Sequence, residues 1–138
     1  MPATKLLLVD DNTAILDSLA EMLASDFLIV GRLSNGAEVS QQAKDLVPDV
    51  IVLDVSLEDM NGFDVASELR DLGCPAKVVF LSYHEMPSFV RRAFELGATG
   101  YVYKSQMADL TKAIHIAVAG GVFNPLTWSA SGNEIAIP

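Results

Sequence analysis

Cysteine is nearly absent from this 138-residue chain: Cys74 stands alone, which excludes an internal disulfide. The two histidines, His84 and His115, have no Cys or His neighbours at zinc spacing, so a zinc centre is not expected. Basic residues are scarce as well, 9 Lys and Arg against 18 Asp and Glu, for a formal charge of −9. A chain so acidic lacks the basic face that a phosphate backbone requires, and direct contact with nucleic acid is not expected. No apolar run approaches the roughly 18 residues of a spanning helix, because Asp, Lys, Arg or Gly interrupts each one. The start shows no charged stretch leading into an apolar run and a small-residue cleavage site. These absences read as a cytoplasmic protein without membrane contact.

What is present is core: 51% of residues are hydrophobic and 20% charged, the profile of one globular domain. Lys5-Leu-Leu-Leu-Val9 is a short apolar run of strand length that stops at Asp10-Asp11. Ile15, Leu16, Leu19, Met22 and Leu23 then recur at helical spacing, with Asp11 or Asn12 placed to cap the helix. The unit repeats four times. Strands are expected at Phe27 to Leu33, Val50 to Leu53, Lys77 to Leu81 and Tyr101 to Tyr103. The intervening helices carry Val39, Ala43, Leu46 and Val47; Phe63, Ala66, Leu69 and Leu72; Phe89, Val90, Ala93, Phe94 and Leu96. Pro48, Gly73 with Pro75, and Gly97 end them. The last helix buries Met107, Leu110, Ile114, Ala117 and Val118 and stops at Gly120-Gly121. Five strands alternating with five helices predict a doubly wound α/β fold, a parallel sheet covered on both faces by right-handed crossovers.

In such sheets ligands bind beyond the carboxyl ends of the strands. Here those ends carry Asp10-Asp11, Asp54, Ser82 and Lys104. With the first and third strands adjacent, three carboxylates converge, and their mutual repulsion is on the order of 10 kcal/mol at an effective dielectric near 20. A divalent cation would neutralise them, and an all-oxygen site that keeps several waters suits Mg²⁺. A single Asp after a strand signifies only a turn preference. The set, spread over four strand ends on one edge, points to a site.

These stretches resemble the receiver domains of two-component response regulators. The resemblance covers Lys5 to Gly121 and is carried by Leu6-Leu-Leu-Val-Asp10-Asp11-Asn12, Pro48-Asp-Val-Ile-Val-Leu-Asp54, Met60-Asn-Gly62-Phe, Val79-Phe-Leu-Ser82 and Gly97-Ala-Thr-Gly-Tyr101-Val-Tyr-Lys104. It implies a flavodoxin-like sheet with strand order 2-1-3-4-5. It implies that Asp54 accepts a phosphoryl group from a sensor histidine kinase or phosphotransfer protein. Asp11, Asp54 and the backbone carbonyl of Ser56 would hold Mg²⁺, with Asp10 acting through a water and Lys104 pairing with the phosphoryl group. Ser82 would be drawn toward the added oxygens and Tyr101 would turn inward behind it. Ser56 and His84 occupy positions that influence phosphoryl lifetime. Tyr101 and His84 also have plain readings, a packed strand aromatic and an exposed loop histidine. The output face would be the fourth helix, fifth strand and fifth helix, including Arg91, Arg92 and Lys112, residues that equally serve to solubilise a surface. A homodimer would form through that face or through the first and fifth helices.

Two positions depart from the family's habit: Glu58 stands where Pro is frequent, adding a carboxylate near the cation, and Ser105 follows the lysine in place of Pro. The second departure resembles receivers that precede LuxR-type helix-turn-helix domains, which suggests transcription regulation. Residues 1–121 are therefore expected to be the receiver and 122–138 a tail or truncated linker, in which Phe123, Leu126 and Trp128 would pack on the domain or on a partner. A phosphoacceptor switch with at most slow self-dephosphorylation, rather than an enzyme, is the expected function. A binding module that works without phosphorylation is the alternative.

Overall fold

The computed structural model describes residues 3–127. Its elements alternate without exception: β1 (Lys5–Val9), α1 (Thr13–Leu23), β2 (Leu28–Leu33), α2 (Val39–Leu46), β3 (Val50–Leu53), α3 (Gly62–Asp71), β4 (Lys77–Ser82), α4 (Pro87–Glu95), β5 (Gly100–Tyr103) and α5 (Asp109–Val118), with a short 3₁₀ turn at Lys104–Gln106. All strand pairs are parallel, and the order is β2-β1-β3-β4-β5. This is the expected doubly wound α/β sheet, and the order in which strands are added reverses between β1 and β3. The side chains just past those two strands therefore face one another.

The central strands β1 and β3 are buried almost along their whole length, as their unbroken apolar runs require of a sheet covered on both faces. Alternate residues feed two cores. Leu6, Leu8, Val50, Val52, Val79, Leu81 and Val102 pack with α1 and α5, while Leu7, Val9, Ile51, Leu53, Phe80 and Tyr101 pack with α2, α3 and α4. Truncating any one of the fully buried leucines would cost about 2–5 kcal/mol.

Several residues read as core lie outside it. Val47, Leu72 and Val118 are exposed, and each sits at the end of its helix, where the apolar stripe has turned past the sheet. Met107 precedes α5 and is only half-buried. Val47 ends α2 in the left-handed region, φ 48° and ψ 57°, an unusual conformation for a β-branched residue. Pro48 cannot continue the helix, and Val47 absorbs the change of direction.

Phe123, assigned by sequence to the tail, is 2% exposed and bridges Gly100 in parallel. Leu126 packs against the core on the α4 side. Trp128 lies outside the described residues.

Candidate functional site

The chain leaves β1 at Val9, and Asp10 follows, nearly fully buried, with Asp11 half-exposed beside it. Asn12 then starts α1: its side-chain oxygen accepts from the amides of Ala14 and Ile15, a standard N-cap. The cap turns the backbone so that the Asn12 amide donates to Asp10 Oδ1 at 2.9 Å. After β3 the same geometry recurs, with the Ser56 amide donating to Asp54 Oδ1 at 3.1 Å. One carboxylate oxygen on each residue is thus fixed by local backbone. The other is left to face the neighbouring strand.

Lys104 fills the space between them. Its ammonium lies 2.8 Å from Asp10 Oδ2 and 2.9 Å from Asp54 Oδ2, and all three side chains are almost completely shielded from solvent. The neutralisation expected of a cation is therefore supplied in part by the protein's own lysine, reached from the end of β5. Burial pushes the Asp54 carboxyl above the usual range, and the hydrogen bond and charge of Lys104 only partly oppose it. For Lys104, burial acts to lower the pKa, but the hydrogen bonds and charges of Asp10 and Asp54 outweigh it and the net shift is upward. The Tyr83 ring lies 4.8 Å below the ammonium, adding an aromatic face to its surroundings.

A pocket of about 210 Å³ opens over this pair, lined by Asp11, Asn12, Ile15, Asp54, Ser56, Ser82, Tyr83, His84 and Lys104. One oxygen from each of Asp10, Asp11 and Asp54 lies within 4.8 Å of the others. The donors are all hard oxygens, with Asp10 Oδ2 ion-paired to the ammonium at 2.8 Å. The oxygen-only donor set and the opening to solvent fit Mg²⁺ with part of its water shell. Glu58 is exposed and does not line the pocket, so its expected place beside the cation is not what the fold provides.

The remaining predicted residues converge on the loop after β4. Ser82 is fully buried, and its Oγ accepts from the His84 amide at 3.0 Å. The His84 ring reaches Ser56 Oγ at 2.8 Å and stacks on Phe89 of α4, with centroids 4.3 Å apart. Tyr101 is already turned inward and fully buried, and its hydroxyl donates to the His84 carbonyl at 2.7 Å. Burial pushes the Tyr101 pKa up to about 12. His84 therefore touches Ser56, Ser82, Tyr101 and α4 at once. Sequence placed it near the site but gave no signal for its contacts with Tyr101 and Ser56, which lie 17 and 28 residues away.

Fold and pocket together define a class: a flavodoxin-like domain whose chemistry sits in an acidic, lysine-bridged pocket at its strand ends. The chain belongs to the response regulator receiver domain family, whose profile matches residues 6–115. It is 35% identical over 122 residues to the nitrate/nitrite response regulator protein NarL of Escherichia coli strain K12, covering 86% of this chain and 56% of that protein. It is 33% identical to an uncharacterized transcriptional regulatory protein, YvfU, of Bacillus subtilis strain 168, covering 94% of this chain and 68% of that one. Among solved structures it matches a LuxR-family two-component response regulator from Aurantimonas sp. SI85-9A1 with a TM-score of 0.84 at 26% identity, covering 90% and 91% of the two chains. The chain thus spans between about half and two thirds of the length of these curated relatives. It is a receiver domain of a two-component response regulator, a class that works with histidine kinases or phosphotransfer partners and binds Mg²⁺ at the acidic pocket. No helix among the described residues is long and apolar enough to cross a membrane.

Proposed function

We propose that Asp54 is the phosphoacceptor of this switch, and the observation that carries the reading is the buried bridge of Lys104 between Asp10 and Asp54 beneath an open pocket. Asp11, Asp54 and the Ser56 backbone carbonyl would hold Mg²⁺, with Asp10 acting through a water. The cation would supply neutralisation of the phosphoryl oxygens. Phosphoryl transfer asks the protein mainly for positioning and charge compensation. The Ser56 amide fixes one Asp54 oxygen, which aims the carboxylate at the pocket mouth. An oxygen of Asp54 forms a bond to phosphorus as the phosphorus–nitrogen bond of the donor phosphohistidine breaks and its imidazole leaves. Lys104 remains as the counter-charge to the new group.

Ser82 carries the consequence inward. Its oxygen already accepts from His84, and its hydroxyl would donate to a phosphoryl oxygen. Tyr101 then relays the change to α4, β5 and α5. Ser56 and His84, joined across the pocket rim, control water access and with it the lifetime of the phosphoryl group. Nothing in this arrangement supports turnover of a separate substrate: the residue two beyond Asp54 is a serine engaged by His84, not a second acid/base carboxylate. The domain is a phosphoacceptor with slow self-dephosphorylation. Kinship with NarL-type proteins supports transcription regulation as the output of the longer protein, and a homodimer through α4-β5-α5 or α1-α5 as its assembled form.

Incubation with a small phosphodonor and Mg²⁺, followed by intact-mass measurement, is expected to show one added phosphoryl group in the wild type and none in Asp54→Asn. An unmodified wild type would leave the phosphorylation-independent binding module as the better reading.

A further inference from the structure

Beyond the five strands, one isolated bridge is added at the β5 edge. Gly120, with φ +91°, and Gly121, whose amide donates to the Ile116 carbonyl at 2.8 Å, close α5 and send the chain back along the β5 edge. Phe123 then pairs with that edge: its amide donates to the Thr99 carbonyl at 3.0 Å, and its carbonyl accepts from the Tyr101 amide at 3.1 Å. The next residues form a built turn. The Asn124 side chain accepts from the Leu126 amide at 3.0 Å, and the Asn124 carbonyl accepts from both the amide and the hydroxyl of Thr127. Pro125 presets the dihedral such a turn requires.

The strap grips both faces of the sheet. Phe123 joins the core shared with α1 and α5, whereas Leu126 packs against the core that contains Tyr101. Gly100, facing Phe123, is also paired with Val79 of β4, where an added Cβ would lie 3.1 Å from a valine methyl. The Tyr101 hydroxyl is thus held by the His84 carbonyl and its backbone amide by Phe123, while Leu126 of the strap packs against the cluster that contains its ring.

We propose that residues 122–127 are part of the switch, a strap that stabilises the inward position of Tyr101 and is tightened when Asp54 carries a phosphoryl group. The proposal rests on the phosphoacceptor reading of Asp54. Both events favour the same Tyr101 arrangement, and two events that favour one state must favour each other by the same factor. Loosening the strap therefore weakens binding of a phosphoryl mimic, and the mimic slows opening of the strap.

Amide hydrogen exchange, read residue by residue by NMR on the full chain, tests this with beryllofluoride and Mg²⁺ as the mimic and ¹⁹F NMR to register its binding. The expected result is a slowing of exchange at Tyr101 and Phe123 by about tenfold or more, with Leu8 and Val52 unchanged. Leu126→Ala, at a half-buried site that the sheet does not need, should speed exchange at Tyr101 and raise the mimic's dissociation constant several-fold. Bound mimic with unaltered Tyr101 and Phe123 exchange overturns the strap alone. No bound mimic in the wild type overturns the phosphoacceptor reading and the strap with it. Phe123→Ala is a second variant; mimic affinity equal to wild type in both folded variants also rejects the proposal.

Discussion

An ammonium held between two carboxylates, with all three groups out of water, has a cost on each side of neutrality. Removing Lys104 leaves Asp10 and Asp54 facing each other without their counter-charge, and breaking a buried ion pair from one side typically costs about 3–5 kcal/mol. Lys104→Ala is expected to lose that much stability at pH 7 by urea unfolding. The loss should shrink as pH falls, because Asp54, whose pKa is already raised by burial, then takes up a proton and removes one of the stranded charges. At the alkaline end the sign is the same, with stability again falling as pH rises. Lys104 and Tyr101 both have folded pKa values above their ordinary ones, so the folded state holds protons that the unfolded chain releases. Stability from these groups is complete below pH 10 and falls as pH rises through the window from 10 to about 12 for Tyr101. In a pH series of thermal melts, Tyr101→Phe should flatten that alkaline decline while losing the hydrogen bond to His84. Val47 offers the opposite case: its left-handed backbone makes Val47→Gly stabilising by about 1 kcal/mol, seen as a higher Tm.

Between the strands, the loops are tied to one another rather than left free. Asp59 accepts from the amides of Gly36 and Ala37, which lowers its pKa and fastens the loop after β3 to the start of the α2 region. Gly62 is the tightest point, since a Cβ there would lie 2.1 Å from the Asp54 carbonyl oxygen. The Gly62 amide also donates to Val55 at 2.6 Å, so the helix start cannot back away. Gly62→Ala should therefore push on the acceptor's own backbone and cost about 1–3 kcal/mol, with phosphoryl uptake reduced by more than the stability loss explains. Circular dichroism melts paired with initial phosphorylation rates separate the two effects. Element order and strand ends were legible because apolar runs stop at Asp10, Asp54 and Lys104 and because Gly and Pro punctuate the helices. The Ser56–His84 contact and the hydrogen bond from Tyr101 to the His84 carbonyl were not, since both depend on groups that meet only after the sheet has closed.

Across the whole molecule, charge and topology divide the work. The charge of −9 belongs to the whole chain, and within the pocket Lys104 offsets only part of the charge of Asp10, Asp11 and Asp54. Strand order followed from the family resemblance, and each βα unit followed from hydropathy. Packing of Phe123 and Leu126 on the domain was one of the expectations, but the bridge to the β5 edge was not. Gly120-Gly121 reads locally as a stop, and only the long-range pairing of Phe123 with Thr99 and Tyr101 shows that the chain returns to the β5 edge after it. That pairing bears on how the domain can be joined to other proteins. A fusion junction or protease site placed directly after Gly121 would remove a buried phenylalanine and uncap the edge strand, inviting intermolecular strand pairing. The same junction moved beyond Thr127 would leave the edge sealed, and the partner would be tethered within a few residues of the strand that carries Tyr101.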